Sequence, residues 1–452
     1  MDRKLSLYSL VVVVFFGALG LVLFGASVRH IVLGGSSLGE LRGPIMTVAE
    51  FPSLVKTLFT FEPQLSSNRF PDFNGLRKSG QIPPEVKSDD GYLLLGHYDT
   101  QEGQATVRLL RIRDEKLIYK WIPKFSELIP LQSGKSKYSH PIGPKYSEIL
   151  HPLLLKDGGL IFHFRYAPLF KINACSTVEW SIDGVFHHSI EQNEVGDIWV
   201  GSMLEPSNYS GTGLTHLDHT ITKISPSGKI LYNKSVARIL DENGYRGLLA
   251  AGYPTIDSNP IHLNDIQPAL KNSEFWKQGD LLLSVRGLST VFLYRPDTDK
   301  VIWLKTGPWM NQHDVNFIEP TSISVFGNDV IFVPPNPDLR QPSREVLKDG
   351  HNNIYIFDFK TNSLNTPYSK LLKEKEVRTV TSGRAGMLQN GDFLVEESNY
   401  GRLLRITPER VKWELVNTVD EDYLTPLRWV RYLTPAQVEP ILPKLQKSIC
   451  GE

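Results

Sequence analysis

The chain has 452 residues, of which 41% are hydrophobic, so it is long enough and apolar enough to fold as one large domain or two ordinary ones. Lysine plus arginine and aspartate plus glutamate both number 49, and this zero net charge gives no support to a nucleic-acid-binding function. The 35 glycines, 30 prolines and 10% aromatic residues favour a turn-rich, all-β protein over a helical one.

The first predicted element is a long apolar helix near the N-terminus. No charged residue occurs between Leu5 and Val28, and an apolar run of this length can span a bilayer. It is longer than the ~7 to 15 apolar residues of a cleavable signal peptide, so we predict an uncleaved signal anchor over residues 1–30. Because short N-terminal tails commonly stay inside, we expect a single-pass protein with its bulk on the extracytoplasmic side. A buried core helix is the alternative.

Residues 31–88 are predicted to be a stalk or linker. Helix-like spacing of apolar residues occurs in the first part of this segment, but Pro44 and Pro52 interrupt it. The stretch from Gln64 to Lys87 is polar and contains three prolines, which is typical of a linker between an anchor and a folded domain.

Residues 89–433 contain a recurring pattern of short strands and turns. Each copy starts with a turn containing aspartate, asparagine or glycine, continues with an apolar strand, and often closes with a strand ending in tryptophan. In the fourth copy, strands are predicted over residues 281–285 and 291–294, and a third strand ends at Trp303. We count six copies, whose first strands begin at Tyr92, Leu160, Ile198, Leu281, Val330 and Phe393.

Repeated sheets that cannot bury both faces alone are stabilised by packing face to face around an axis. The sequence therefore predicts an all-β fold, with a six-bladed β-propeller over residues 89–433, behind an N-terminal transmembrane helix and before a short C-terminal helix. A sandwich of two sheets is the alternative architecture.

The chain ends in a predicted helical tail, residues 434–452, in which Thr434 can act as N-cap and Pro435 can occupy the first helical position. The tail carries Cys450, and the only other cysteine is Cys175. The two could pair in an exported chain, but the sequence leaves this pairing open. Neither cysteine lies in a C-x-x-C motif, so thiol chemistry and structural zinc are poorly supported.

The candidate functional residues are histidines that follow or separate the copies. His187 and His188 come after the second copy, His262 precedes the fourth, and His313 follows the fourth. Arg286 ends the first strand of the fourth copy. Connecting loops of a propeller meet near its axis, so we expect these side chains to come together and bind an anion. A metal site is the alternative, but these loops bring few carboxylates, and we predict no metal or cofactor.

A second pair of histidines, His216 and His219, has H-x-x-H spacing. In a strand, residues three apart face opposite sides of the sheet, so these two side chains cannot ligate one metal ion together. We therefore predict structural or surface roles for both.

Four segments of the chain together resemble the arylsulfate sulfotransferases: HHSIEQNEVGDIWV, HLNDIQ, SVRGLSTVFLYRPDTDKVIW and NQHD. Enzymes of this family are six-bladed propellers that pass a sulfuryl group from one phenol to another without a nucleotide donor. The resemblance covers about residues 158–413. Its most specific part is R-x-x-S-x-V, followed by a tryptophan-terminated strand and then Q-H-D.

The resemblance implies roles for the candidate residues. His313 matches the histidine nucleophile of the family, which is transiently sulfated. Arg286, His262 and one of the histidine pair, for which we choose His188, match the residues that hold the sulfate oxygens. Either His262 or His188 is expected to donate a proton to the departing phenolate and to remove one from the acceptor.

The same segments supply three predicted substrate-binding residues, His187, Asn264 and Gln312. The expected partners are a small aryl sulfate donor, a phenolic acceptor and, through the N-terminal helix, a membrane. No nucleic-acid partner is expected, and the oligomeric state is left open.

The chemistry of sulfuryl transfer agrees with these residue types. In the transition state of transfer, a sulfuryl group is loosely bonded and carries charge on its peripheral oxygens, much like a phosphoryl group. The guanidinium group of an arginine stabilises such charge. A neutral imidazole can attack it, which predicts ping-pong kinetics.

A non-catalytic, membrane-tethered propeller that serves as a binding or scaffold module is the main alternative, because a fold does not fix a function. A propeller dehydrogenase or hydrolase is a further alternative, but its motifs are not visible, and the lack of a P-loop argues against a nucleotide-dependent sulfotransferase.

Overall fold

The computed structural model describes residues 7–32, 38–41, 44–45, 48–49, 65–136, 138–205, 217–249, 259–333, 344–447 and 450. The chain divides into two units, Met1–Glu62 and Pro63–Glu452. Each unit is described separately below.

The first unit contains one long helix, α1 (Leu7–Val32). Its span Val11–His30 is the one helical segment in the described ranges that is long and apolar enough to cross a bilayer. Its large apolar side chains are exposed to the surroundings of the protein, so it is not a core helix of this unit. Its length and composition fit a single-pass membrane anchor or a signal sequence. Most of the predicted stalk up to residue 64 lies outside the described residues.

The second unit is mostly β-structure. In chain order its strands are β1 (Ser66–Ser67), β2 (Phe73–Asn74), β3 (Arg77–Lys78), β4 (Tyr92–Asp99), β5 (Gln104–Arg111), β6 (Lys116–Trp121), β7 (Leu150–Leu154), β8 (Leu160–His163), β9 (Ala167–Ile172), β10 (Val178–Gln192), β11 (Ile198–Leu204), β12 (Asp218–Ile224), β13 (Ile230–Ser235), β14 (Leu263–Pro268), β15 (Leu281–Val285), β16 (Thr290–Arg295), β17 (Lys300–Thr306), β18 (Val315–Glu319), β19 (Ser322–Gly327), β20 (Val330–Val333), β21 (Arg344–Leu347), β22 (Asn353–Asp358), β23 (Ser363–Asn365), β24 (Arg384–Met387), β25 (Phe393–Glu397), β26 (Arg402–Ile406), β27 (Val411–Val416), β28 (Tyr423–Leu424) and β29 (Arg431–Leu433).

The helices of this unit are short. They are α2 (Pro84–Lys87), α3 (Phe125–Leu128), α4 (Val236–Glu242), α5 (Arg246–Leu249), α6 (Ser369–Glu374), α7 (Pro435–Val438) and α8 (Leu442–Lys447). Single 3-10 turns occur at Gly39–Leu41 in the first unit and at Ile112–Asp114, Ile129–Leu131, Arg286–Leu288 and Ser398–Tyr400 in the second.

The strands form antiparallel sheets in a propeller-like arrangement. Four sheets have four strands each, in the orders β29-β4-β5-β6, β14-β15-β16-β17, β18-β19-β22-β23 and β24-β25-β26-β27. A fifth sheet has seven strands, from β7 to β13 in sequence order. The first strands of three of these sheets are in contact, with β14 against β18 and β18 against β24, and β10 of the seven-stranded sheet contacts β14. Buried side chains fill the spaces between neighbouring sheets.

Strand β10 occupies the middle of the seven-stranded sheet. Its first half pairs with β9 and its second half with β11, and the pairing register with β11 shifts between His187 and Ile190. His188 lies in this irregularity with a positive φ of 60°. Such a bulge changes the direction of a side chain, which sets His188 apart from the regular alternation of the strand.

The two ends of the second unit are joined in one sheet. Strand β29 pairs antiparallel with β4, opposite Tyr92, Leu93 and Leu94. Beyond it, helix α7 starts at Pro435 as predicted, with the side chain of Gln437 accepting a hydrogen bond from the Thr434 backbone N–H at 2.9 Å.

The C-terminal segment is also linked covalently to the sheets. Cys450 forms a disulfide bond with Cys175, and the two Cα atoms are 5.3 Å apart. Cys175 lies in the turn between β9 and β10. This pairing was left open by the sequence. It closes a covalent loop across most of the second unit.

The predicted strands of the fourth copy are confirmed as β15, β16 and β17, although the third strand continues beyond Trp303 to Thr306. The prediction for the fifth copy was wrong in its first strand. Among the described residues, the strand that starts at Val330 pairs with β21 alone in a separate two-stranded sheet, whereas the four-stranded sheet uses β19 and β22. Both segments have a strand pattern, and only the long-range pairing distinguishes them.

Candidate active site

Five histidine side chains lie together in the second unit. The ring centroids are 5.0 Å apart for His187 and His188 and 5.2 Å apart for His188 and His262. The rings of His188 and His313 are 6.3 Å apart. His219 lies 4.6 Å from His187 and 6.0 Å from His262. The sequence-predicted histidines are therefore neighbours, and His219 is part of the same group.

Access to this group differs between its members. The side chains of His187, His219 and His313 are buried. Those of His188 and His262 are partly exposed. A ligand that enters from solvent would therefore meet the partly exposed rings first.

Arg286 lies beside this group, at the start of the turn that follows β15. Its backbone N–H donates to the His262 carbonyl oxygen at 3.0 Å, and its charge lowers the pKa of both His262 and His313. Gly287 permits this close approach, because a Cβ at that position would lie 2.2 Å from the Pro260 carbonyl oxygen. Gly287 thus fixes the backbone of Arg286 against the segment that carries His262, and after burial the guanidinium charge is the next cause that lowers the pKa of both imidazoles.

Hydrogen bonds fix the tautomer of His313. The Ser382 backbone N–H donates to Nε2 of His313 at 2.9 Å, so Nε2 carries the lone pair. The other nitrogen, Nδ1, lies 2.6 Å from Oδ1 of Asn328 and donates to it. The amide group of Asn328 is itself oriented by donating to the Thr379 and Ser382 carbonyl oxygens. His313 is therefore held in the tautomer that has its lone pair on Nε2.

The surroundings of His313 keep its imidazole neutral. Burial, and after it the positive charge of Arg286, lower the pKa of His313 from 6.5 to about 3. A histidine whose pKa lies below the solution pH is unprotonated, so at neutral pH the lone pair on Nε2 accepts the Ser382 N–H and carries no proton.

His262 has the opposite tautomer. Its backbone N–H donates to Oδ1 of Asn259 at 3.1 Å, which orients the Asn259 side chain. The amide nitrogen of Asn259 then donates to Nδ1 of His262 at 2.8 Å, so the ring proton is on Nε2. His262 can therefore donate a hydrogen bond through Nε2.

Comparison with known proteins identifies the family of the second unit. The family model described as Arylsulfotransferase (ASST) matches residues 151–417, which include every histidine and the arginine described above. The chain belongs to the arylsulfotransferase family. No curated protein matches the chain. The chain is similar to the crystal structure of a protein of unknown function from Bacteroides caccae, with 12% identity, a TM-score of 0.47, and coverage of 76% of this chain and 99% of that one. It is also similar to TolB from Acinetobacter baumannii, with 10% identity, a TM-score of 0.43, and coverage of 76% and 68%.

Asn264 and Gln312 connect the loop that carries His313 to the sheet that carries Arg286. The side-chain amide of Asn264 donates to the Gln312 carbonyl oxygen at 2.9 Å, and that of Gln312 donates to the backbone of β15 and β16. Both side chains are buried, and their amide oxygens have no hydrogen-bond partner among the described residues. Their contact with a substrate remains a prediction.

Position in the sheets indicates a further histidine that sequence reasoning missed. His262 and His313 each lie just before the first strand of a sheet, and His151 lies in β7, the first strand of the seven-stranded sheet. Burial lowers the pKa of His151 well below 6.5, and the positive charges of Arg431 and Arg384 add to this effect. The recurrence of a histidine near the first strand of these three sheets was the signal that could have identified His151.

Aromatic rings surround the histidines. Trp429 stacks on His151 with centroids 4.2 Å apart, and Tyr166 lies 5.9 Å from His187 and 6.4 Å from His188. Trp429 follows the last predicted copy and Tyr166 lies in the turn between two strands, so neither followed from the repeat pattern. Such rings can contact an aryl group.

His219 is buried within the cluster, which agrees with a structural role and excludes the surface role that the sequence also allowed. His216 lies outside the described residues. The H-x-x-H spacing gives no indication of what His219 contacts alone. In the described ranges, no group of three histidine, cysteine, aspartate or glutamate side chains is arranged to hold a metal ion.

Replacing Asn328 by leucine is expected to lower the kcat of sulfuryl transfer, the reaction of this family, by about 10- to 100-fold, because His313 loses the acceptor that fixes its tautomer. The measurement is sulfuryl transfer from an aryl sulfate at saturating donor. Asn328→Asp is the matched variant, since its carboxylate can still accept from Nδ1, and it should be more active than Asn328→Leu. Wild-type kcat in the leucine variant would contradict this role.

Proposed function

We propose that the chain transfers a sulfuryl group from an aryl sulfate to a phenolic acceptor through a sulfohistidine at His313, without a nucleotide donor. The observation that carries this proposal is the arrangement of a neutral, tautomerically fixed imidazole beside the guanidinium of Arg286. Membership of the arylsulfotransferase family supports the class of reaction. An enzyme is therefore proposed in preference to a scaffold module.

In the first half of the proposed reaction, Arg286 and Nε2–H of His262 bind the peripheral oxygens of the donor. Nε2 of His313 attacks the sulfur atom, the new S–N bond forms, and the S–O bond to the phenol breaks with its electron pair. The Ser382 N–H, which bonds to Nε2 of His313 before attack, is released and can donate to a sulfate oxygen.

In the second half, the acceptor phenol attacks the same sulfur atom. His188 removes the phenolic proton, the O–S bond forms, and the electron pair of the S–N bond returns to Nε2 of His313. His187, Asn264 and Gln312 are proposed to contact the substrates or to hold the residues that do. The stacked pair of Trp429 and His151 offers a surface for the aryl group.

The proposed fold is a six-bladed propeller. The four four-stranded sheets supply four blades, and the seven-stranded sheet supplies two that share the long strand β10, one on each side of its bulge. Residues 89–433 would form this catalytic domain, with the stalk before it and the helical tail, residues 434–452, after it.

We further propose that the N-terminal helix is a single-pass anchor and that the propeller lies on the extracytoplasmic side of the membrane. The disulfide bond between Cys175 and Cys450 supports this side, because disulfides persist mainly in oxidising compartments.

The proposal is tested by incubating the purified full chain with 4-nitrophenyl sulfate, with and without a phenol acceptor. We expect nitrophenolate release that is stimulated by the acceptor, formation of the sulfated acceptor, and parallel lines in double-reciprocal plots, which indicate ping-pong kinetics. No nucleotide is added. Absence of transfer over a series of aryl sulfates would contradict the proposed activity and favour a binding module.

A further inference from the structure

Three imidazoles form a continuous chain of contacts that leads away from the substrate side of the site. Nδ1 of His188 lies 2.9 Å from Nδ1 of His187, and Nε2 of His187 lies 2.9 Å from Nδ1 of His219. The first ring is partly exposed, and the other two are buried. The chain therefore runs from the accessible face of the site into the protein.

A backbone carbonyl sets the positions of the hydrogens in this chain. Nε2 of His187 lies 3.2 Å from the Ser202 carbonyl oxygen, which can only accept, so Nε2 carries the proton. Nδ1 of the neutral His187 is then an acceptor, and the hydrogen between the paired Nδ1 atoms belongs to His188. Nδ1 of His219 accepts from His187. Each ring therefore donates to the next, from His188 to His187 and from His187 to His219. The remaining nitrogen of His188, Nε2, carries a lone pair and can accept a proton.

Local sequence makes room for the central ring. His187 pairs with Gly201 across the two strands, and a Cβ at Gly201 would lie 2.8 Å from Cε1 of His187. His188 is held in place by its carbonyl oxygen, which contacts Nε2 of His163 at 2.9 Å. Gly201 thus gives the His187 ring its space, and His163 fixes the backbone of His188, so the fold positions both rings of this contact.

We propose that His187 and His219 form a proton relay that stores the proton of the acceptor phenol between the two half-reactions. This inference rests on the proposed function. As the phenol attacks, its proton passes to Nε2 of His188. His188 passes its Nδ1 proton to Nδ1 of His187, and His187 passes its Nε2 proton to Nδ1 of His219.

The transfer balances over one catalytic cycle. When the next donor releases its phenolate, the same steps run backwards and His188 delivers the proton to the phenolate oxygen. The loaded state removes the hydrogen bond from His187 to the Ser202 carbonyl, so the carbonyl favours return of the proton. The loaded state also places a positive charge on the buried His219 ring, and this cost of desolvation likewise favours return of the proton.

The experiment separates the two half-reactions in His219→Gln. The glutamine oxygen can accept the hydrogen bond from His187, but an amide cannot take up a proton near neutral pH. The variant therefore keeps the position of His187 and removes the group that stores the proton. With 4-nitrophenyl sulfate, whose leaving group needs no proton, we expect the burst of nitrophenolate to stay within about threefold of wild type. Transfer to acceptor phenols should slow by about 10- to 100-fold, and more for phenols of higher pKa.

Gly201→Ala serves as a second variant, because its added methyl group displaces the His187 ring without removing a histidine. It should give the same pattern. His97→Gln is the control, since His97 is a buried histidine that contacts Asn417 in another sheet, and it should change neither step.

Equal slowing of both steps in both variants, or transfer rates that do not depend on acceptor pKa, would overturn the relay while leaving the proposed function in place. Absence of a burst in the unmodified protein would instead overturn the proposed function, and the relay with it.

Discussion

Replacing His313 by asparagine is expected to abolish sulfuryl transfer, with kcat lowered by roughly four orders of magnitude or more. The reason is that Nε2 of His313 is the proposed nucleophile, and the asparagine side chain offers no nitrogen lone pair in its place. Its short amide can still hydrogen-bond to Asn328, so the loop should keep its conformation. The measurement is steady-state transfer from an aryl sulfate to a phenol.

The control for this variant is His97→Asn, a buried histidine changed to the same residue outside the site. Circular dichroism and thermal unfolding of both variants separate loss of chemistry from loss of fold. A His313→Asn protein with transfer within tenfold of wild type would show that another group attacks the sulfur atom.

The second large effect is expected for Arg286→Lys, which keeps the positive charge but loses the planar fork that can hold two sulfate oxygens. We expect kcat/KM to fall by about 10²- to 10³-fold, comparable to the removal of one donor from an oxyanion site. Arg295→Lys is the matched control, because Arg295 lies on the same sheet in an ion pair with Asp280. The control should stay within about threefold of wild type.

Arg286→Gln should in addition change the pH dependence. The charge of Arg286 is the second cause, after burial, that lowers the pKa of His313 to about 3. Removing the charge raises this pKa toward 6.5 without reaching it, because burial remains. The neutral form of His313 is then lost at a higher pH, so the acid limb of the kcat/KM profile should move upward. An acid limb at an unchanged or lower pH would contradict the coupling between these two residues.

The sequence predicted much of the fold because the repeat pattern is local. The strands around Leu281, Val291 and Trp303 are bounded by turn residues and were found close to their observed limits. The fifth copy was misassigned because Val330 starts a segment as apolar as β19. Pairing with β22 decides which of the two segments joins the four-stranded sheet. A local sequence pattern does not indicate pairing with a strand that is distant in the chain.

The residues of the candidate site could be predicted where they lie in a recognisable motif and could not be predicted elsewhere. His188, His262, Arg286 and His313 stand in segments that resemble the family, and the structure brings them together. Asn328 lies in an ordinary turn after β19, and only its contact with His313 gives it a role. Roles that depend on such contacts follow from the folded structure.

The same limit applies to His151 and His219. His151 lies in an apolar strand and is typical of a core residue by sequence, and His219 lies in a strand next to residues outside the described ranges. Each belongs to the site only because several sheets meet there. The positions of histidines near the first strands of the sheets are the one signal in the sequence that these sheets come together at the candidate site.

The most direct test of the account is mass analysis of the peptide containing His313 after brief incubation with 4-nitrophenyl sulfate in the absence of acceptor, followed by a quench that avoids acid. The account predicts that this peptide gains the mass of one SO₃ group, that fragmentation places the group on His313, and that a phenol acceptor removes it. A protein that turns over the donor while the sulfo group is found on another residue, or on none, would contradict it.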